Sequence, residues 1–321
     1  MADAVSWSLH HLPRQDGRLA VVTGANSGIG LEATRGLAAL GATVVMACRN
    51  LDKARAAAQD VRRSLPGAAL DVRQLDLADL DSVHAFAETF DDGEAVDLLV
   101  NNAGVMALPQ RRETADGFEM QLGTNVLGHF ALTGSLLPNL LAGAVPGGAA
   151  GAGSRVVWLS SIAHRQGRID FDDLQSRRGY DPWTAYQQSK LADLVLSIEM
   201  QRRLAAQGAD LVSLAAHPGI ASTELTSDMM EGKRLMSKVA GPLIGLFAMP
   251  SWRGALPTLV AAASRDVEPG GYVGPDGFRE MRGNPASAEI MPQALDPETG
   301  RRLWQACERL TGVEMLSGAT A

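Results

Sequence analysis

The chain is poor in cysteine: its 321 residues include 2, Cys48 and Cys307, which allows at most one disulfide. Cys48 lies in the apolar run TVVMAC and reads as a buried thiol, and no CxxC or Cys/His spacing offers a metal site. Long hydrophobic runs are missing as well. The greasiest stretch, VAGPLIGLFAM at 239–249, is about half of the roughly 20 residues a membrane span needs, and Gly and Pro interrupt it. The opening residues MADAVSWSLHHLPRQDGR lack the basic segment followed by an apolar one that marks a secretory signal. No membrane anchor and a cytoplasmic location are therefore expected. Positive charge is not in excess either. With 29 Lys and Arg against 36 Asp and Glu the net charge is −7, and the arginine pairs at 62–63, 111–112 and 177–178 are scattered, whereas nucleic-acid binding needs clustered cations.

What is present is the composition of a globular protein, 46% hydrophobic and 20% charged. Length alone suggests about two domains, but no compositional shift or internal repeat divides the chain. Instead, short β-branched runs alternate with helical patterns. Strand-like segments at 19–24, 43–48, 69–77, 97–101, 155–160, 211–219 and 271–273 are separated by helical patterns near 29–40, 52–64, 79–90, 118–141, 184–204, 233–246 and 252–264, with a last helix at 297–310. Such alternation predicts an α/β fold: a doubly wound sheet of about seven mainly parallel strands with helices on both faces. The Gly/Ala-rich segment AGAVPGGAAGAGS reads as a loop.

Two patterns carry chemistry. Thr23-Gly24-Ala25-Asn26-Ser27-Gly28-Ile29-Gly30 falls where the first strand ends and the first helix begins. There Gly24 can make a tight turn, Gly28 can let the backbone approach a pyrophosphate, and Gly30 can permit close helix packing; the helix N-terminus offers free N–H groups to the anion. An ordinary strand-to-helix turn is the plain alternative. Tyr186 and Lys190 are four residues apart in AYQQSK, so on a helix they share a face. An ammonium stabilises a neighbouring phenolate and so assists proton transfer.

The spacing TGxxxGxG resembles that of the short-chain dehydrogenase/reductase family, and further family motifs occur in order: Asn101-Asn102-Ala103-Gly104, Asn125 in GTNVLGHFALT, Ser161 in WLSSIAH, Tyr186 with Lys190, and Pro218-Gly219. The resemblance spans residues 18 to 225. It implies one Rossmann-like NAD(P)-binding domain over the whole chain, with a substrate lid at about 222–250 and a C-terminal extension. The chemistry it implies is hydride transfer between a carbonyl and an alcohol. Tyr186 would be the general acid/base, Ser161 a hydrogen-bond donor to the reacting oxygen with Ser160 as its rival, and Lys190 the group that holds the nicotinamide ribose and tunes Tyr186. Asn125 would support a water linking Lys190 to solvent. The cofactor would be held by Gly24, Asn26, Ser27, Gly28, Ile29 and Gly30, by Asp76 and Leu77 at the adenine, and by Asn102, Ala103 and Gly104 at the ribose side. Pro218, Gly219, the Ile220 backbone and the Thr223 hydroxyl would meet the carboxamide, although Thr223 is also a candidate helix N-cap.

The second strand ends in Ala47-Cys48-Arg49-Asn50, with no carboxylate before Asp52. An acidic residue there favours the 2′-hydroxyl of NAD, whereas Arg49, assisted by Ser27 or Asn26 of the glycine-rich turn, suits the 2′-phosphate of NADP; Asn50 is counted with the cofactor-binding residues. NADP(H) is the expected cofactor; Arg49 as a helix cap or solvated side chain is the alternative. The 25 residues from Ser161 to Tyr186, and the strings MACRN and AHPGI, resemble the branch containing retinol dehydrogenases and protochlorophyllide reductases. The Met-rich lid, with Met229, Met230, Met236 and Met249, points to a bulky lipophilic ketone or aldehyde. A catalytically silent NADP(H) sensor or scaffold is the competing class. His129, His164 and His217 read as structural. Assembly as monomer or homodimer is open.

Overall fold

The computed structural model describes residues 8–144, 153–220 and 249–317. One sheet runs through them in the order β3-β2-β1-β4-β5-β6-β7-β8. Its strands are β1 (Leu19–Thr23), β2 (Thr43–Cys48), β3 (Leu70–Gln74), β4 (Leu98–Asn101), β5 (Arg155–Leu159), β6 (Val212–Ala216), β7 (Tyr272–Pro275) and β8 (Pro285–Ser287). All neighbours pair in parallel except β7 and β8. The eighth strand is one more than the sequence pattern suggests. It is a three-residue edge strand that begins with proline and has no β-branched run, so it leaves no periodic signal.

The central strands are largely apolar because both faces of the sheet are covered there, whereas the edge strands β3 (LDVRQ) and β8 have no buried residue; alternation sorts the central side chains between two cores. Val21, Val45, Leu99, Val156, Trp158 and Ala215 enter one core; Val22, Met46, Val100, Val157 and Leu214 enter the other. The second core is closed by α1 (Gly28–Ala39) and α2 (Leu51–Ser64), and by a later helix at Leu256–Ala263. The first is closed by α3 (Leu80–Ala87), α4 (Met120–Ser135), α5 (Leu137–Gly143) and α6 (Pro182–Ala206), and by a final helix at Pro297–Thr311.

Local chemistry sets the helix ends. Asn50, Asp79, Asp181 and Asp296 each accept backbone N–H bonds as N-caps, and proline follows directly at 182 and 297, where a missing N–H costs nothing. Gly312, at φ 69°, closes the final helix. The long helical pattern at 118–141 is in fact two helices bent by 60°, with Pro138 in the first turn of the second. Within α4, residues Gly123–Leu127 form a π turn.

The approach of α4 to the sheet edge needs Gly128, since a Cβ there would lie 2.3 Å from the Leu77 carbonyl oxygen, a backbone atom that cannot rotate away. Replacing Gly128 by Ala is expected to cost about 1–3 kcal/mol in chemical denaturation. Gly67, which has open space around it, supplies the matched control; equal melting of the Gly128→Ala and Gly67→Ala proteins would show the contact to be soft.

Candidate active site

The strand order reverses between β1 and β4, and ligands of open α/β sheets bind at the carboxyl ends of strands beside such a switch point. A cavity of about 930 Å³ opens there. It is lined by the turn after β1, the ends of β2, β4 and β5, the start of α6 and the segment after β6.

The glycine-rich turn is built for close backbone approach. Gly24 has φ 64°, and a Cβ there would fall 3.0 Å from the Ala103 side chain, while a Cβ on Gly30 would fall 2.4 Å from both Asn102 Nδ2 and the Gly24 carbonyl oxygen. Ser27 caps α1 without a side-chain hydrogen bond, so the first N–H groups of the helix face the cavity. Gly24, Asn26, Ser27, Gly28, Ile29 and Gly30 all line it. This cradle of crowded glycines and unpaired N–H groups fits a dinucleotide pyrophosphate.

The β4 loop is tied to this turn through Thr23. Its hydroxyl accepts the N–H groups of Asn102 and Ala103, both at 2.9 Å, and the Asn102 side chain donates back to the Thr23 carbonyl at 2.7 Å. Thr23 Oγ1 also lies 2.9 Å from His129 Nε2, and His129 Nδ1 lies 2.8 Å from the Asn125 carbonyl oxygen. A carbonyl can only accept, so Nδ1 carries the proton and Nε2 receives the Thr23 hydroxyl. Burial pushes the His129 pKa down to about 3. The ring is neutral and both its nitrogens are bonded. His164 is likewise driven down by burial, to about 4, with Nδ1 on the Ser161 carbonyl oxygen at 2.6 Å. His217 binds Glu280 at 2.8 Å. All three histidines hold structure.

Asn125 lies in the π turn and is fully buried, and it does not line the cavity. Its Oδ1 accepts from Val105 N, while Nδ2 donates to the Val105 carbonyl and to Ser189 Oγ, which in turn donates to the Tyr186 carbonyl. Both polar atoms of that amide thus tie the β4 loop to α6, a structural task beyond the relay-water role implied by the resemblance.

Tyr186 and Lys190 emerge from one face of α6 into the cavity, with Trp183 one turn earlier, its ring edge-on to Tyr186 at 5.8 Å. Lys190 is buried. Its Nζ donates to the Leu159 carbonyl and to Asp193 Oδ2, each at 2.8 Å. Burial works against the Lys190 ammonium, but the charges of Asp193 and Tyr186 and the Asp193 hydrogen bond outweigh it, and its pKa lies above the ordinary lysine value. The neighbouring serines differ sharply. Ser160 is buried and donates to the Lys190 carbonyl, whereas Ser161 Oγ accepts from Ala163 N and keeps its own proton for a ligand.

The remaining candidates divide. Asp76, Leu77, Asn102, Ala103, Gly104, Pro218 and Gly219 line the cavity, and so does Arg49, which is exposed and has no partner among the described residues. Asn50 does not line it. Its Oδ1 accepts from Lys53 N as the cap of α2, which corrects its assignment to the cofactor. Ile220 lines the cavity; its N–H donates to Met281 O and its carbonyl accepts from Met249 N, so the N–H is committed within the protein while the carbonyl oxygen keeps a second lone pair. Thr223 and all of the lid except Met249 and Pro250 lie outside the described residues. Sequence reasoning missed Val105, Met106, Ile162, Ala163, Gln166 and Trp183 as lining residues. Only Trp183, at helical spacing from Tyr186, had left a signal.

A family model described as short chain dehydrogenase matches residues 18–234. The chain is 41% identical over 303 residues to retinol dehydrogenase 13 of Homo sapiens, across 93% of this chain and 86% of the relative. It is 43% identical over 302 residues to polyprenol dehydrogenase of Mus musculus, across 94% and 86%. Among solved structures it is similar to an uncharacterized protein from Mycobacterium Paratuberculosis, with 40% identity, a TM-score of 0.77, and coverage of 96% of this chain and 98% of that one.

His129 has a lowered pKa in the folded state, so the stability it contributes is complete above about 6.5, its unfolded value, and declines as pH falls toward about 3. Between pH 7 and pH 5 this group should remove about 2 kcal/mol. His129→Gln, which cannot titrate, should shrink the difference between denaturation midpoints at those two pH values by that amount; an unchanged difference would mean His129 does not govern the acid limb.

Proposed function

The chain belongs to the short-chain dehydrogenase family, and from that premise we propose that it is an NADP(H)-dependent oxidoreductase interconverting a bulky lipophilic ketone or aldehyde with its alcohol. The observation that carries the reading is the convergence of Ser161, Tyr186 and Lys190 on one cavity, each with a hydrogen-bonding proton still available there. When bound, the nicotinamide cofactor supplies or accepts the hydride. Ser161 donates a hydrogen bond to the carbonyl oxygen and steadies the charge that grows on it during reduction. Tyr186 gives that oxygen its phenolic proton, completing the alcohol, and regains one from solvent; in oxidation the same group removes the proton. Lys190 holds a ribose hydroxyl with its remaining N–H and stabilises the phenolate left behind.

Arg49 supports the choice of NADP(H). The capping of α2 falls to Asn50, and Asp52, the next carboxylate along the chain after the second strand, is 95% exposed and pairs with Arg55 at 3.5 Å, which leaves Arg49 itself open to a 2′-phosphate. The substrate class is supported by the apolar walls near the reacting groups, where Val105, Met106, Ile162 and Ala163 face the cavity with Trp183. Two relatives are named for retinol and polyprenol, both bulky lipophilic alcohols.

NADPH oxidation with a panel of carbonyl compounds tests the reading. Lipophilic ketones or aldehydes should turn over, and Tyr186→Phe should reduce kcat by about 10²-fold or more. NADPH binding with no turnover in either protein would instead indicate the sensor. Arg49→Asp should weaken NADPH about 10- to 100-fold while sparing NADH, the scale of a lost charge-assisted bond; equal losses for both cofactors would remove the argument for NADP(H).

A further inference from the structure

Lys190 has an unusual companion. Its ammonium has three N–H donors, and two of them are held inside the protein, one by the Leu159 carbonyl and one by Asp193. Asp193 sits on the same helix, three residues on, and the two side chains are 5% and 3% exposed. Only Oδ2 of Asp193 is used; Oδ1 is buried with no partner among the described residues. A buried carboxylate with one bare oxygen is a poor device for stability, since an apolar side chain of similar size would pack there without losing hydration. Its placement makes sense toward Lys190.

We propose that Asp193 is a positioning residue for Lys190: it fixes the ammonium so that one N–H faces the cavity, and its negative charge limits how strongly Lys190 draws the proton from Tyr186. The inference rests on the reading of Tyr186 as the group that moves the proton. A bare buried cation would favour the phenolate so strongly that Tyr186 would be a weak acid catalyst in the reducing direction. The Lys190–Asp193 pair leaves a dipole, whose pull on the phenol is smaller. Other titratable groups around the pair are silent. His129, near Lys190, is kept neutral by burial, and the Cys307 thiol of the final helix is pushed up by burial and then by the Asp193 charge. Burial raises Asp193 itself against the pull of Lys190.

The test is an ultraviolet titration of tyrosinate, which needs neither substrate nor turnover. The chain has 3 tyrosines. Burial pushes Tyr180 up to about 12 and Tyr272 also upward, so neither ionises in the range scanned, and Tyr186→Phe supplies the blank. Removing the negative charge beside the protonated Lys190 leaves its pull on the phenol uncountered, so Tyr186 releases its proton more easily. In Asp193→Asn, folded by circular dichroism, the tyrosinate midpoint should fall by about 1 pH unit or more, and the low-pH, rising limb of alcohol oxidation should move with it. Asp193→Glu, which restores the charge, should return both toward wild type. A folded Asp193→Asn protein whose titration matches wild type overturns the proposal, and it does so independently of whether the carbonyl panel is turned over. Should Asp193→Asn not fold, Asp193→Ser is judged by the same titration. A measurement that leaves Asp193 intact also decides: the carboxyl ¹³C resonance of Asp193 should shift as Tyr186 ionises and lose that step in Tyr186→Phe, and a resonance indifferent to Tyr186 refutes the coupling.

Discussion

Thr23 stands at the carboxyl end of β1, and the site depends on what its hydroxyl does. One oxygen accepts the N–H groups of Asn102 and Ala103 and donates to the neutral ring of His129. A side chain without that hydroxyl would leave two buried donors unpaired, at about 1–3 kcal/mol each. More than stability is at issue. The bonds draw the β4 loop against the glycine turn until Ala103 touches Gly24 and Asn102 reaches over Gly30. The floor of the cavity is thereby a single welded unit of two strand ends, and it presents backbone rather than side chains to a ligand.

From His129 the same network runs to α6. The ring holds the Asn125 carbonyl, the Asn125 amide holds Val105 and Ser189, and Ser189 holds the Tyr186 carbonyl. These groups are neutral and their bonds are reciprocal, which is the condition under which a buried polar network adds rigidity rather than cost. The π turn of α4 provides the geometry, because widening the helix at Gly123–Leu127 places Asn125 where its side chain spans between the β4 loop and α6. The turn over the cofactor side and the tyrosine over the substrate side are thus held in one frame, although 163 residues of chain separate Thr23 from Tyr186.

Periodic and ordered features were legible in the sequence; reciprocal ones were not. Most of the parallel strands could be read because burial on both faces makes them apolar runs, β3 (LDVRQ) because of its place in the strand–helix alternation, and the glycine turn because only glycine tolerates such crowding at Gly30. Asn125, Asn50 and Ile220 were placed in the right neighbourhood, but the protein partners that fix them were not foreseen. A side-chain amide or a backbone N–H has many suitors, and its choice is fixed by atoms distant in sequence: Ser189 for Asn125, Met281 for Ile220. Trp183 is the instructive miss, since the spacing that joins Tyr186 to Lys190 extends one turn back to it. The bend at Leu136 was hidden because the apolar pattern continues across it, with Pro138 as its one marker.

The two cations of the cavity show how an acidic protein can manage a polyanionic cofactor. Arg49 is exposed at the rim and unpaired among the described residues, so water screens it and it keeps its full charge for a ligand that arrives with its own. Lys190 is buried, where the same charge would be felt far more strongly, and there it is matched by Asp193 at 2.8 Å. Exchanging these arrangements would defeat both. A carboxylate beside Arg49 would repel a 2′-phosphate, and an unmatched Lys190 would hold the phenolate of Tyr186 in place of letting it exchange its proton. Charge is left bare where recognition needs it and is countered where proton transfer must run in both directions.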